Sequence, residues 1–543
     1  LATPIEKWLP GDDITAGRLE AMNQRSWLMV TNYGADTSGT IDAAAAIQLA
    51  LNAARDVGGA WVLVPPGVYL IGQTLRIYGN TRLTLMHGAE FRRNFAGRMM
   101  TNGDAGQALG GYTGHGNIVI EGGLWNMRGT TAGLTGSAMC ISIGHAQDVV
   151  IQDLEILDVP GFHAIELNST FHGVIRNCRF RGFIDPGGRD ISEAVQIDLA
   201  KSSTEFGAFG PYDNTVCEDV LITGCFFGAS GTAGTTAWPR GIGSHTTTKT
   251  LWHRHIRISD NAFVGCLQFA ISAYSWEDLT VNGNSFVGCG SGVRLRVIIT
   301  TDPQDTAGPD GIPTGTSQDM RNITISGNSF RQGGGYGQVI VAQGEATGTI
   351  LNLSITGNTI DGSAGGQTGI RLNYVSRATV VGNVVANIDG SAISTEQQNN
   401  TVIASNVVYR AASHGITMVD SYNSNILGNQ VRDPASNGVL VQGCTDVQVR
   451  NNFVDGANRV NVPGSPSWGI RVSATNTAIA VSGNKCRPGS SAVAAERGLS
   501  LTNGTTGLTR FGNDMRGTWS GSGAIGIADA SISPNLAATD IGG

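Results

Sequence analysis

VVGNVV (380–385), IASNVV (403–408), ILGNQV (426–431) and VRNNFV (449–454) are one phrase written four times, and their spacing decides the fold. The asparagines at 383, 406, 429 and 452 fall 23 residues apart. Within each copy apolar side chains alternate with small or polar ones, which is the period of a strand. A second short strand occupies each period: GIRLN (369–373), AISTE (392–396), GITMV (415–419), GVLVQ (438–442) and GIRVS (469–473). Strand, Gly-Asn turn, strand, turn at a fixed period marks a solenoid of β-strands, and the alternation argues against helical heptads.

Working outward, the phrase recurs as ISDNAF (258–263), VNGNSF (281–286), ISGNSF (325–330) and ITGNTI (355–360), with weaker copies at Asn484 and Asn513. Asn tolerates a left-handed bend, and its amide can bond the equivalent amides above and below, so these residues are expected to form a structural ladder. Further upstream, VIRNCRF (174–180) and VLITGCFF (220–227) place Cys178 and Cys225 where Asn stands later. Cys266 and Cys289 share another repeat position. With no CxxC pair and no zinc-type spacing, the eight cysteines are expected to be stacked, buried thiols.

Composition agrees: 77 glycines in 543 residues and 14% charged residues suit many short strands and tight turns. A net charge of -7 argues against a nucleic-acid groove. No apolar run of about 18 residues and no basic, apolar leader is present, so neither membrane insertion nor a retained signal peptide is expected.

Ahead of the repeats, residues 31–77 contain TNYGAD, an alanine-rich segment and VPPGVYLIG. Thr40 and Asp42 are expected to open an amphipathic helix with Ile41, Ala45, Leu49 and Ala53 on its apolar face, closed by Gly58-Gly59. Such a helix could cover the open end of a solenoid. This stretch resembles the N-terminal segment of the pectate-lyase-like right-handed β-helix superfamily, whose members begin with a YGAD phrase, a helix and a PPG.Y turn. The resemblance implies an all-β, right-handed parallel β-helix with an N-terminal capping helix. Its expected divisions are a connector (1–30), a cap with first strands (31–110), the β-helix (111–515) and a C-terminal segment (516–543). Bacteriophage tailspike polysaccharide depolymerases look similar, which implies a homotrimer, attachment to a virion tail through the N-terminus, an extracellular setting and a bacterial surface polysaccharide as partner.

Stacking the second strands in register aligns their outward residues. One column reads Asn168, Asp198, His245, Tyr274, Arg296; its neighbour reads Glu166, Gln196, Gly243, Ser272, Arg294. Both are expected on an exterior face, with Arg371 extending the positive strip. Coils around this face carry the longest loops, where sites tend to lie. Those loops hold Phe206, Phe209, Tyr212, Trp238, Trp252 and Trp276, flat surfaces suited to sugar rings. Hydrolysis of a glycosidic bond needs two carboxyls, for which Glu166 and Asp198 are the first pair and Glu193, Glu205 and Asp213 the reserve. The rival chemistry is β-elimination on a uronate glycan, with Tyr274 or His245 as base and Arg296 or Arg294 as the stabilising cation. A third reading is a spike that grips its glycan without cutting it. No cofactor or metal is expected, although His253 and His255 share a strand near His245. The GHG at 114–116 is read as a turn, and no catalytic residue is carried over from the polygalacturonase or pectate-lyase motifs.

Overall fold

The computed structural model describes residues 27–203, 210–460, 467–473, 475–489, 495–502, 504–520 and 526–529. Most of the expected connector, together with Glu205, Phe206 and Phe209, lies outside them.

Each coil lays three strands side by side around a common axis. One coil supplies Ala262–Val264, Phe269–Tyr274 and Trp276–Asn282. These pair in parallel with Ser285–Val287, Ser291–Arg296 and Met320–Ser326 of the next coil. Along the stack like faces like, so Ile403 is opposite Ile426 and Ile426 opposite Val449. A continuous apolar core results, running from Val30 to Ile527. Phe180, Phe227, Phe263, Phe286 and Phe330 form one file inside it, with successive ring centroids 5.0, 4.6, 4.9 and 4.4 Å apart.

The asparagine ladder is present. Asn383 Nδ2 donates to Asn406 Oδ1 at 3.0 Å, and Asn406 Nδ2 donates to Asn429 Oδ1 at 2.9 Å. Each Oδ1 also accepts a backbone N–H from the Asn one coil earlier, so a wholly buried amide is satisfied on both sides. The left-handed backbone, however, belongs to the residue before each ladder Asn. Gly382, Ser405, Gly428 and Asn451 carry φ of +68°, +55°, +61° and +56°. The two duties of the turn are thus divided between its two residues. All eight cysteines are free and buried.

A helix, Ala44–Asp56, packs beside the first strands. Asp42 Oδ1 accepts the Ala44 N–H at 3.0 Å and that of Gly72 at 2.9 Å, tying the helix start to a strand. The buried face is Ala44, Ile47, Ala50, Leu51 and Ala54, not the expected one: Ile41 and Leu49 are exposed. In an alanine-rich run several faces look apolar, and the strands accept the one whose small side chains allow close approach.

Candidate functional site

The register sets the site. Glu166 pairs with Gln196 and Asn168 with Asp198, Gln196 with Gly243, Gly243 with Ser272, Ser272 with Arg294, and Tyr274 with Arg296. Chain segments 22 to 47 residues apart are therefore neighbours at a strand spacing of about 4.8 Å. Gly243 is required here, because a Cβ would lie 2.7 Å from the Ser272 carbonyl oxygen and 3.3 Å from Glu193 Cγ.

The face is not open to solvent where the carboxylates stand. Glu166, Glu193 and Asp198 have no accessible surface, and Gln196 has 3%. The expectation of an exterior Glu166–Asp198 pair is corrected accordingly. Loops fold back over these rungs: the Leu109 N–H bonds the Gly210 carbonyl, and Gly111 donates to Asp213 Oδ2 at 2.8 Å. Lys201 bridges two loops, its Nζ donating to the Thr247 and Gln304 carbonyls at 2.6 and 2.9 Å.

Beneath the cover lies a charged network. Glu193 Oε2 is 3.1 Å from His245 Nδ1, and Glu193 Oε1 accepts from Arg240 at 3.2 Å. Burial penalises the Glu193 carboxylate, but His245, Arg240 and His163 outweigh it and hold the group at about 2. Burial likewise works against charged His245, yet Glu193 and then Asp198 raise it to about 9. His163, stacked 6.0 Å from His245, is driven by burial down to about 4. Asp198 goes the other way, since burial pushes it up to about 7 against His245, Thr246 and the Leu199 N–H. Gln196 joins the parts: its Nε2 donates to Asp198 Oδ2 at 2.6 Å and is 3.5 Å from His245 Nε2. Glu166, raised by burial, accepts from Ser142 Oγ at 2.5 Å.

One edge of this network meets a cavity. It has a volume of about 200 Å³, and its walls include Arg240, His245, Tyr274, Arg294 and Arg296, together with Asp302 and Asp305. The His245 side chain is 28% accessible. Tyr274 Oη donates to Asp305 Oδ2 at 2.5 Å and accepts from the Ile299 N–H at 3.2 Å. Burial, then Asp305, lifts the Tyr274 phenol far above its ordinary range, and burial raises Asp305 itself. Arg294 donates to Ser272 Oγ at 2.8 Å, lies 4.7 Å over the Phe269 ring and leaves its buried Nε without a partner.

Of the residues expected from sequence, His245, Tyr274, Arg294 and Arg296 line this cavity, while Glu166, Glu193, Gln196 and Asp198 support it from beneath. The expected sugar platforms fare differently. Trp238 and Trp276 are wholly buried, the first against Phe183 at 5.2 Å, the second donating to Ser244 Oγ at 2.8 Å. Trp276 is turned inward by the strand it begins, whereas Trp238 is packed inward from the loop just ahead of Arg240–Gly243. Trp252 is half-buried, donating to the Asp319 carbonyl at 2.7 Å under the Arg321 guanidinium. Tyr212 is 40% exposed. Arg371 stands beyond Arg294 with Val341 between them, 3.5 Å from Glu396. His253 is buried and accepts the Cys217 N–H, whereas His255 is exposed between Glu218 and Asp278, so the two histidines do not converge. Asp302, Asp305 and Arg240 were not singled out in the sequence; the two aspartates sit in the irregular 299–319 loop, which carries no periodic signal.

Two family models match in tandem: rhamnogalacturonase A/epimerase, pectate lyase-like, over residues 27–294, and right-handed beta helix region, over 310–517. The chain is a right-handed β-helix whose residues 27–294 are similar to the pectate-lyase-like family. The plasmin and fibronectin-binding protein A of Streptococcus pneumoniae is 29% identical over 285 residues, which is 48% of this chain and 39% of that protein. The structure of the Streptococcus pneumoniae surface protein and adhesin PfbA aligns with a TM-score of 0.60 at 21% identity, covering 72% of this β-helix and 99% of that chain. A tailspike of Escherichia coli bacteriophage HK620, solved with a pentasaccharide, aligns with a TM-score of 0.57 at 14% identity, covering 90% and 79%. At these identities the likeness is one of fold. No helix among the described residues is long and apolar enough to cross a membrane.

Proposed function

We propose that this β-helix hydrolyses a glycosidic bond in a bacterial surface polysaccharide at the cavity between His245 and Arg296. The observation that carries this reading is that two carboxyls, Asp302 and Asp305, line the cavity beside Arg294 and Arg296, while the rival bases are engaged: Tyr274 Oη donates to Asp305 and His245 Nδ1 lies against Glu193. His245, held at about 9, and Tyr274, higher still, both keep their protons at neutral pH, so β-elimination has no base among the residues first considered for it. Carboxyls, by contrast, reach the same cavity. Asp305, raised by burial, is the candidate acid that protonates the bridging oxygen. Asp302, exposed on the same loop, is the candidate base that takes a proton from the attacking water. Glu193, Asp198 and Glu166 then act through His245 and Arg240, fixing the cationic wall that orients substrate.

A specific observation favours a second reading, a glycan-binding spike without turnover: the originally expected carboxyl pair is sealed from solvent, and a relative is named as an adhesin. Incubation with a panel of bacterial capsular polysaccharides separates these. New reducing ends without unsaturated uronate absorbance support hydrolysis; both signals together support a lyase; retention on the polymer with neither supports the spike. In either case the solenoid end is closed by the Ala44–Asp56 helix, residues 1–30 serve as a connector to a virion tail or other extracellular mount, and the working form is a homotrimer.

A further inference from the structure

We propose that Tyr336 is an aromatic subsite that stacks a sugar ring at the far end of the candidate cavity, a proposal that rests on the polysaccharide reading above. None of the expected tryptophans offers an open ring face at this cavity, yet one tyrosine beside it does. Tyr336 is 48% exposed and meets Phe269 edge-on, with ring centroids 5.4 Å apart and planes at 83°. Phe269, itself buried, carries on its face the Arg294 guanidinium that lines the cavity, so Tyr336 stands next to the cavity wall, one ring beyond Arg294.

The exposure of Tyr336 is built in. It stands in the run GGGYG (333–337), whose backbone is tied to the preceding coil: Gly334 donates to the Cys289 carbonyl at 2.7 Å and Tyr336 to that of Gly290 at 3.2 Å. The glycines allow that approach, since a Cβ on Gly337 would lie 2.8 Å from the Phe269 ring and one on Gly334 2.9 Å from Gly290 Cα. A half-exposed ring on an anchored backbone has little freedom left to lose on binding. Phe269 and Tyr274 are the two ends of one strand. Five residues of strand separate them by about 17 Å, room for a short oligosaccharide running from the Tyr274–Asp305 end to the Tyr336 end. Pyranose rings present apolar C–H faces, which an aromatic face covers, while Arg294 serves their hydroxyl or acidic rim.

The test is affinity electrophoresis of the full chain through gels containing hyaluronan, alginate, polygalacturonate or neutral dextran, with Tyr336→Ala and Tyr336→Phe beside wild type. Retention of wild type by at least one polymer is expected, weakened about two- to tenfold in Tyr336→Ala and retained in Tyr336→Phe, the range for one aromatic stacking contact. Equal retention of Tyr336→Ala and wild type overturns the subsite alone, as does an equal loss in both variants, which would assign the effect to the hydroxyl. Failure of wild type to be retained by any of the polymers overturns the polysaccharide reading and the subsite together.

Discussion

Asp198 shows how a rung of the solenoid converts placement into chemistry. Its carboxyl titrates near 7 rather than its ordinary 3.8 because the strand buries it and the loops cover it. A folded-state value above the unfolded one means that the native protein binds this proton more tightly, so Asp198 costs stability as pH rises from about 4 to 7. Asp198→Asn is therefore expected to raise the melting temperature by a few degrees at pH 8 and by nothing at pH 4, while polysaccharide cleavage falls at least tenfold because the wall under His245 is altered. Thermal denaturation across pH checks the first part and a reducing-end assay the second. His245 has the same sign in a higher pH window, but it stabilises the native state where Asp198 burdens it. Its value near 9 exceeds its ordinary 6.5, so the Glu193–His245 pair stabilises fully below about pH 6.5 and is lost as pH rises through 9. His245→Gln is expected to start less stable at pH 6.5 and to lack the wild-type decline between pH 6.5 and 9. At this scale the sequence was half legible. Alternation and register placed His245, Tyr274, Arg294 and Arg296 together, but burial of Glu166 and Asp198 depends on loops without a period, and Asp302 and Asp305 come from such a loop.

Among elements, the Gly-Asn turn is the unit that repeats. Its ladder Asn is buried and bonded on both sides, so Asn383→Ala removes the partner of the Asn358 amide and leaves the Asn406 Oδ1 underused. The expected cost is about 1–3 kcal/mol, measurable by denaturant unfolding, with far-ultraviolet circular dichroism unchanged. Asn383→Asp, which keeps an acceptor but offers Asn406 no side-chain N–H and buries a carboxylate, is expected to cost at least as much. The strands and the ladder could be read from spacing because every coil restates the same constraint. The helix near the N-terminus is written once, and in an alanine-rich run the face chosen by packing is set by the strands beneath it rather than by its own pattern. The tryptophans teach the same lesson: loop-like surroundings suggested exposure, while Trp276 is the first residue of a strand and faces the core.

Across the whole molecule, the solenoid does two things a compact domain does not. Neighbouring coils bury one another's strands, so stability is shared locally, and loops can lengthen over one set of rungs without disturbing the ladder elsewhere. The long loops gather over one side of the coils between 160 and 320, and there the described residues roof the charged network, with a cavity at its His245–Arg296 edge. A homotrimer would set three such edges around one axis, and sedimentation equilibrium is expected to return three times the 56.5 kDa chain mass; a monomer would remove the trimer from the proposal without touching the cavity. The most direct measurement is a crystal structure of the Asp305→Asn variant soaked with oligosaccharides released from a polysaccharide that the wild-type protein cuts. A sugar is expected along the Phe269–Tyr274 strand, within hydrogen-bonding distance of residue 305 and Arg296. Sugar bound instead on another face, such as the one bearing Phe171 and His255, would contradict the assignment of this cavity.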